Sequence, residues 1–97
     1  MTSLVSRNIY VNDHRTSMRL EPEVWRALEE IVSRENITFN MLCTLIAKHP
    51  RSGSFTSVIR TFALLYYREW VALLESQDRV QNVLTPSLID RTIEALK

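Results

Sequence analysis

The stretch Arg15-Thr16-Ser17-Met18-Arg19-Leu20-Glu21 constrains this chain more than any other. It alternates polar and apolar residues. On a strand, Arg15, Ser17 and Arg19 face one way and Thr16, Met18 and Leu20 the other. Even a paired two-stranded ribbon is marginal alone in water. The apolar face therefore needs a cover, and the strand edge needs a neighbour. The stretch lies just ahead of a strong helix start at Pro22.

The segments C-terminal to the ribbon supply that cover. From Pro22, residues Val24, Trp25, Leu28, Ile31 and Val32 form an apolar stripe at helical spacing. Glu21 and Glu23 complement the positive end of that helix. Glu30 and Arg34 are ordered for a surface ion pair worth about 0.3 kcal/mol. Asn36 reads as the stop. Thr38 caps a second, shorter helix with Met41, Leu42, Leu45 and Ile46 on its apolar face. His49-Pro50-Arg51-Ser52-Gly53 is loop chemistry, and Ser54 caps a third helix. There Phe55, Ile59, Phe62, Tyr66, Trp70 and Leu73 share one face, and further apolar residues spread around the middle turns. A helix so apolar should be covered on more than one side, which a dimer would supply. Residues 77–82 are polar. Thr85-Pro86 then opens a last helix with Leu88, Ile89, Ile93 and Leu96 in a narrow stripe. Ahead of the ribbon, Asn8-Ile9-Tyr10-Val11 is β-prone and reads as a short extended arm, and Asn12-Asp13-His14 as a turn. The expected organisation is a flexible arm over 1–7, a central domain over 8–76, and a linker with an amphipathic helix over 77–97.

Ninety-seven residues with an apolar fraction of 45% make one modest domain. Twelve basic and eleven acidic residues leave a net charge of +1, so distribution matters more than the sum. Up to Leu20 the chain carries Arg7, Arg15 and Arg19 against only Asp13. The acids gather afterwards, at Glu21, Glu23, Glu29, Glu30 and Glu35. Cys43 is the only cysteine, which excludes an intrachain disulfide or a cysteine cage for zinc. The N-terminus lacks a signal-peptide pattern, and no apolar run approaches the roughly 18 residues of a membrane span. A cytoplasmic location without membrane contact is the expectation.

No arrangement of side chains points to catalysis. His14 and His49 are far apart, without the spacing of a metal site. Cys43 has no cation nearby in sequence to activate it. Ser52, Ser54 and Ser57 have no neighbouring base. Trp25, Trp70, Tyr66 and Tyr67 fall at helical spacings that suit a core better than a base-stacking platform. Neither catalytic residue, metal nor cofactor is expected.

The segments RTSMRLEPEVWRALEEI and NITFNMLCTLI, a strand followed by two helices, resemble the ribbon-helix-helix family of bacterial DNA-binding proteins. HRTSMRLEPEVW together with SFTSVIRTFALLYYR resembles a short bacterial subgroup with an added third helix. The likeness covers roughly residues 7 to 68. It implies a mainly α fold in which one N-terminal strand pairs across an intertwined homodimer, with additional C-terminal helices. It implies a transcription regulator that inserts a two-stranded ribbon into the major groove of double-stranded DNA.

Carried onto this chain, the base-contacting positions are Arg15, Ser17 and Arg19. Arginine suits guanine, and serine can donate or accept. The phosphate contacts would be Thr38, Phe39 and Asn40 at the second helix's N-terminus, with Arg7 and His14. This chain lacks a glycine ahead of that cap, having Asn36-Ile37. The dimer core would comprise Met18, Leu20, Trp25, Leu28, Ile31, Leu42, Leu45, Ile46 and Phe62. Expected partners are DNA and a second copy, with higher-order assembly on DNA. Two other readings stand beside this one. The ribbon is a solvated edge strand whose arginines guard against aggregation, or the fold is an interaction module, such as an antitoxin or adaptor, docking a protein through its C-terminal helix.

Overall fold

A computed structural model of the chain describes residues 3–49, 53–75 and 88–96. The polar stretch 77–82 and the Thr85-Pro86 helix start lie outside the described residues. Asn12 and Asp13 both have positive φ, 51° and 68°. Two consecutive residues there make a two-residue turn of the primed kind, whose twist suits a hairpin. Strand β1 (Val5–Val11) therefore folds back on β2 (His14–Leu20), antiparallel, from Val11 opposite His14 to Val5 opposite Leu20.

The ribbon-then-helices class expected from the sequence is the one observed. One edge of the Arg15–Leu20 strand is paired by the chain's own β1, part of which was expected to be a short extended arm. β1 also begins inside the segment expected to be an arm. The reason is local: a two-residue loop closes the hairpin at little entropic cost.

Helix α1 (Pro22–Glu35) has proline in its first turn and buries Trp25, Leu28 and Ile31. It ends at Asn36, whose φ of 58° and ψ of 45° are left-handed. The Asn36 N–H donates to Ser33 O, and the Ile37 N–H to Val32 O. This is a Schellman ending, with asparagine where glycine is usual. The missing glycine leaves the turn intact. Asn36→Gly should leave stability unchanged or raise it, whereas Asn36→Ala should cost about 1 kcal/mol from the left-handed penalty. Urea midpoints of the two variants check this.

Helix α2 (Phe39–Ala47) starts at Thr38, whose hydroxyl accepts from the Met41 N–H at 3.0 Å. Helix α3 (Phe55–Glu75) is capped by Ser54, which accepts from the Ser57 N–H at 3.1 Å. Helix α4 (Leu88–Leu96) turns Leu88, Ile89, Thr92 and Ile93 inward and lies against α3. The α4 stripe is thus covered within the chain.

The core is closed by one chain. Met18, Leu20, Trp25, Leu28, Ile31, Leu42, Ile46 and Phe62, expected to meet across a dimer, are buried here without a second copy, and Leu45 is half-buried. Thr16 shares the inner face with Met18 and Leu20 yet stays exposed. It is nearer the turn, and α2 lies along β1 rather than beneath that end of β2.

Polar contacts fix α3 on α1. The Tyr66 hydroxyl donates to Glu35 at 2.7 Å, the Tyr67 hydroxyl to Glu30 at 2.7 Å, and Arg60 pairs with Glu21 at 2.9 Å. Arg34 lies over the Trp70 ring, 4.7 Å from its centroid. The ion pair expected between Glu30 and Arg34 is absent among the described residues: Glu30 accepts from the Tyr67 hydroxyl, and Arg34 lies over the Trp70 ring.

Burial pushes the Cys43 thiol up to about 12. Burial, reinforced by the hydrogen bond to Glu35, raises the Tyr66 phenol as well. A raised acid binds its proton more tightly in the folded state. Its stabilisation is complete below the unfolded thiol value, about 8.5, and declines as pH rises from there toward 12. Unfolding midpoints should therefore fall from about pH 9 upward, and Cys43 should resist alkylation in the native protein at neutral pH. Glu21 shifts the opposite way, lowered mainly by its hydrogen bond from Arg60. Its contribution holds above the unfolded carboxylate range and fades as pH falls through the folded value.

Candidate nucleic-acid interface

The hairpin has two faces. The pairing puts Val5, Arg7, Ile9 and Val11 with Leu20, Met18, Thr16 and His14 on the inner one. Ile9, Met18 and Leu20 are buried there. The outer face carries Ser6, Asn8 and Tyr10 opposite Arg19, Ser17 and Arg15. All six are exposed. Ser6 and Ser17, diagonal neighbours, hold their hydroxyl oxygens 2.8 Å apart. Alternation in the sequence pointed to β2's outer residues and missed β1's. The Asn12-Asp13 pair between two β-prone segments was the available signal, weaker than the glycine-containing turns that usually mark a hairpin.

Side chains of α2 occupy one edge of the hairpin. Asn40 Oδ1 accepts from the Tyr10 N–H at 3.1 Å, and Thr44 Oγ1 accepts from the Asn12 N–H at 3.3 Å. Those amides point away from β2. Directly opposed residues in an antiparallel ladder share this orientation. Arg15, Ser17 and Arg19 must therefore turn their own amides and carbonyls away from β1. Those backbone groups have no partner among the described residues.

The charges are sorted by face. Arg7 lies on the inner face, 2.8 Å from the Glu29 carboxylate and 4.6 Å from the Trp25 ring centroid. Arg26, Arg60 and Arg91 are also ion-paired, with Glu23, Glu21 and Glu69. Arg15 and Arg19 have no ion-pair partner among the described residues, and the outer face holds no carboxylate.

Of the residues expected at phosphates, Thr38, Phe39 and Asn40 stand together at the start of α2, beside β1. Arg7 and His14 fall on the inner-face register, away from Arg15, Ser17 and Arg19. Arg7 is already neutralised by Glu29.

Among the described residues no group of three or more histidine, cysteine, aspartate or glutamate side chains is placed to hold a metal ion, and no helix is long and apolar enough to cross a membrane. Neither the curated proteins nor the solved structures gave a match. The family comparison did: residues 4–67, from the start of β1 through two thirds of α3, match the Ribbon-helix-helix domain. Those residues span the hairpin and both following helices, and the chain belongs to the ribbon-helix-helix family, whose members are generally DNA-binding transcription regulators or antitoxins.

Proposed function

We propose that this protein binds specific sites on double-stranded DNA as a homodimer and regulates transcription without catalysis. The observation that carries the reading is the pair of unneutralised arginines on an acid-free face, next to a strand edge with free backbone groups. A second copy's β2, laid antiparallel about a two-fold axis through Ser17, would satisfy that edge. Arg15 would then stand opposite Arg19 of the second copy, and Ser17 opposite Ser17. Four guanidinium groups would share one surface. Like charges opposed across strands are unfavourable on their own, and a polyanion relieves them.

The dimensions suit the major groove. The two β2 strands form the central ribbon, and a groove about 12 Å wide admits such a ribbon. With strands about 4.8 Å apart, the two β1 strands would lie about 14 Å from each other, at the groove walls. Arg15, Ser17 and Arg19 would read base edges. Ser6, Asn8 and Tyr10 would face the sugar-phosphate rims. The free amides of α2's first turn, around Thr38, Phe39 and Asn40, would meet phosphates just outside β1.

Selection of bound duplexes from a random pool tests the proposal. An enriched motif with two-fold symmetry is expected, bound with a log–log salt slope near −0.9 per neutralised phosphate. A folded protein showing no salt-dependent affinity for any duplex would remove the DNA reading and leave the interaction module.

A further inference from the structure

Helix α3 has a face that neither α1 nor α4 covers. Leu64, Val71 and Leu74 are 61%, 50% and 50% exposed, among the largest exposures of any apolar side chain described. Leu64 and Val71, with Tyr67, Arg68, Ala72 and Glu75, line one shallow groove along the helix. Spacings of three, four and seven residues put these side chains on a single stripe. The stripe has a charge at either end of Val71: Arg68 before it and Glu75 after it. The two are seven residues apart, about 10 Å along the axis, too far to pair with each other. Neither has an ion-pair partner among the described residues.

We propose that this face binds the same face of a second copy, with the two α3 helices antiparallel. A two-fold axis between Val71 and Ala72 maps position 68 onto 75. It sets Arg68 of each copy against Glu75 of the other, twice, while Val71 and Ala72 meet at the centre. The small Ala72 lets the helix backbones approach there. Val71 loses its exposure to water at the crossing. A parallel pairing would oppose like charges, Arg68 to Arg68 and Glu75 to Glu75, so the charge pattern selects the antiparallel one. This contact is separate from the β2 edge. A chain with two self-complementary faces links dimer to dimer, which on DNA would join proteins at neighbouring sites.

The test measures molar mass by light scattering on the full chain without DNA, so it stands whether or not the DNA reading does. Arg68→Glu should halve the mass relative to the unaltered protein, because two carboxylates then oppose each other at both ends of the crossing. Glu75→Arg should do the same with two guanidinium groups. The double reversal Arg68→Glu/Glu75→Arg should restore the original mass, which no general damage to the fold would do. Circular dichroism of each variant confirms that the helices are retained. An unaltered protein that is monomeric at high micromolar concentration overturns the proposal. So do single reversals that leave the mass unchanged, or a double reversal that fails to restore it while the helices remain.

Discussion

Arg15→Ala/Arg19→Ala is expected to abolish sequence preference on DNA and lower specific affinity by at least about a thousandfold. Each bidentate arginine–base contact discriminates by about 1–3 kcal/mol. A dimer would lose four, so even the low end totals about 4 kcal/mol, and about 1.4 kcal/mol is a factor of ten. The hairpin itself should survive. Both side chains are exposed and make no ion pair among the described residues, and exposed substitutions of this kind usually stay within about 0.5 kcal/mol. Residual binding should retain most of its salt dependence, because phosphate contacts carry that term while base contacts carry the preference. Titration of a selected duplex and a scrambled one, at two salt concentrations, separates the two. A double variant that still prefers the selected duplex would move the reading surface elsewhere, Ser6, Asn8 and Tyr10 being the next candidates.

Much of this surface was legible because strand alternation is a strict period of two. Once Met18 and Leu20 are buried, Arg15, Ser17 and Arg19 have to face outward. The helices were legible for similar reasons: proline at the start of α1, Thr38 and Ser54 as caps, and stripes that fix which side turns inward. What escaped was pairing between segments. Nothing in the local pattern of Asn8–Val11 says whether it extends freely or folds back; the answer lies in two consecutive left-handed residues, and neither is glycine. Arg7 escaped for a related reason. Near the ribbon in sequence, it counted as part of the basic arm. Its register across from Met18 instead turns it inward, onto Trp25 and Glu29. The outer residues of β1 became visible only with that register. The breadth of apolar surface on α3 was read as a sign of dimerisation. Much of it is covered by α1 and α4 in the same chain, leaving a narrower stripe that includes Leu64 and Val71.

Phe62→Ala is expected to cost about 3–5 kcal/mol, the usual penalty for emptying a buried aromatic site. Phe62 is fully buried in the middle of α3, with the Tyr66 ring 6.3 Å away, centroid to centroid. Small domains are stable by about 5–15 kcal/mol in total, so the variant should sit close to unfolding at 37 °C. How the loss depends on concentration is the more informative measurement. Had Phe62 and the residues around it met across two copies, stability would be inseparable from protomer concentration, and dilution alone would unfold the unaltered protein. In the structure the hairpin closes on itself and the core closes within one chain. Dilution should therefore separate dimers into folded monomers, with the helical signal intact at nanomolar concentration. Phe62→Ala should lower the denaturation midpoint by a similar amount at every concentration. Loss of helical signal on dilution of the unaltered protein would return the fold to an intertwined dimer. It would also make β1–β2 pairing a consequence of assembly. Survival of the monomer means the reading surface is built before any partner arrives, and that assembly on DNA joins finished units.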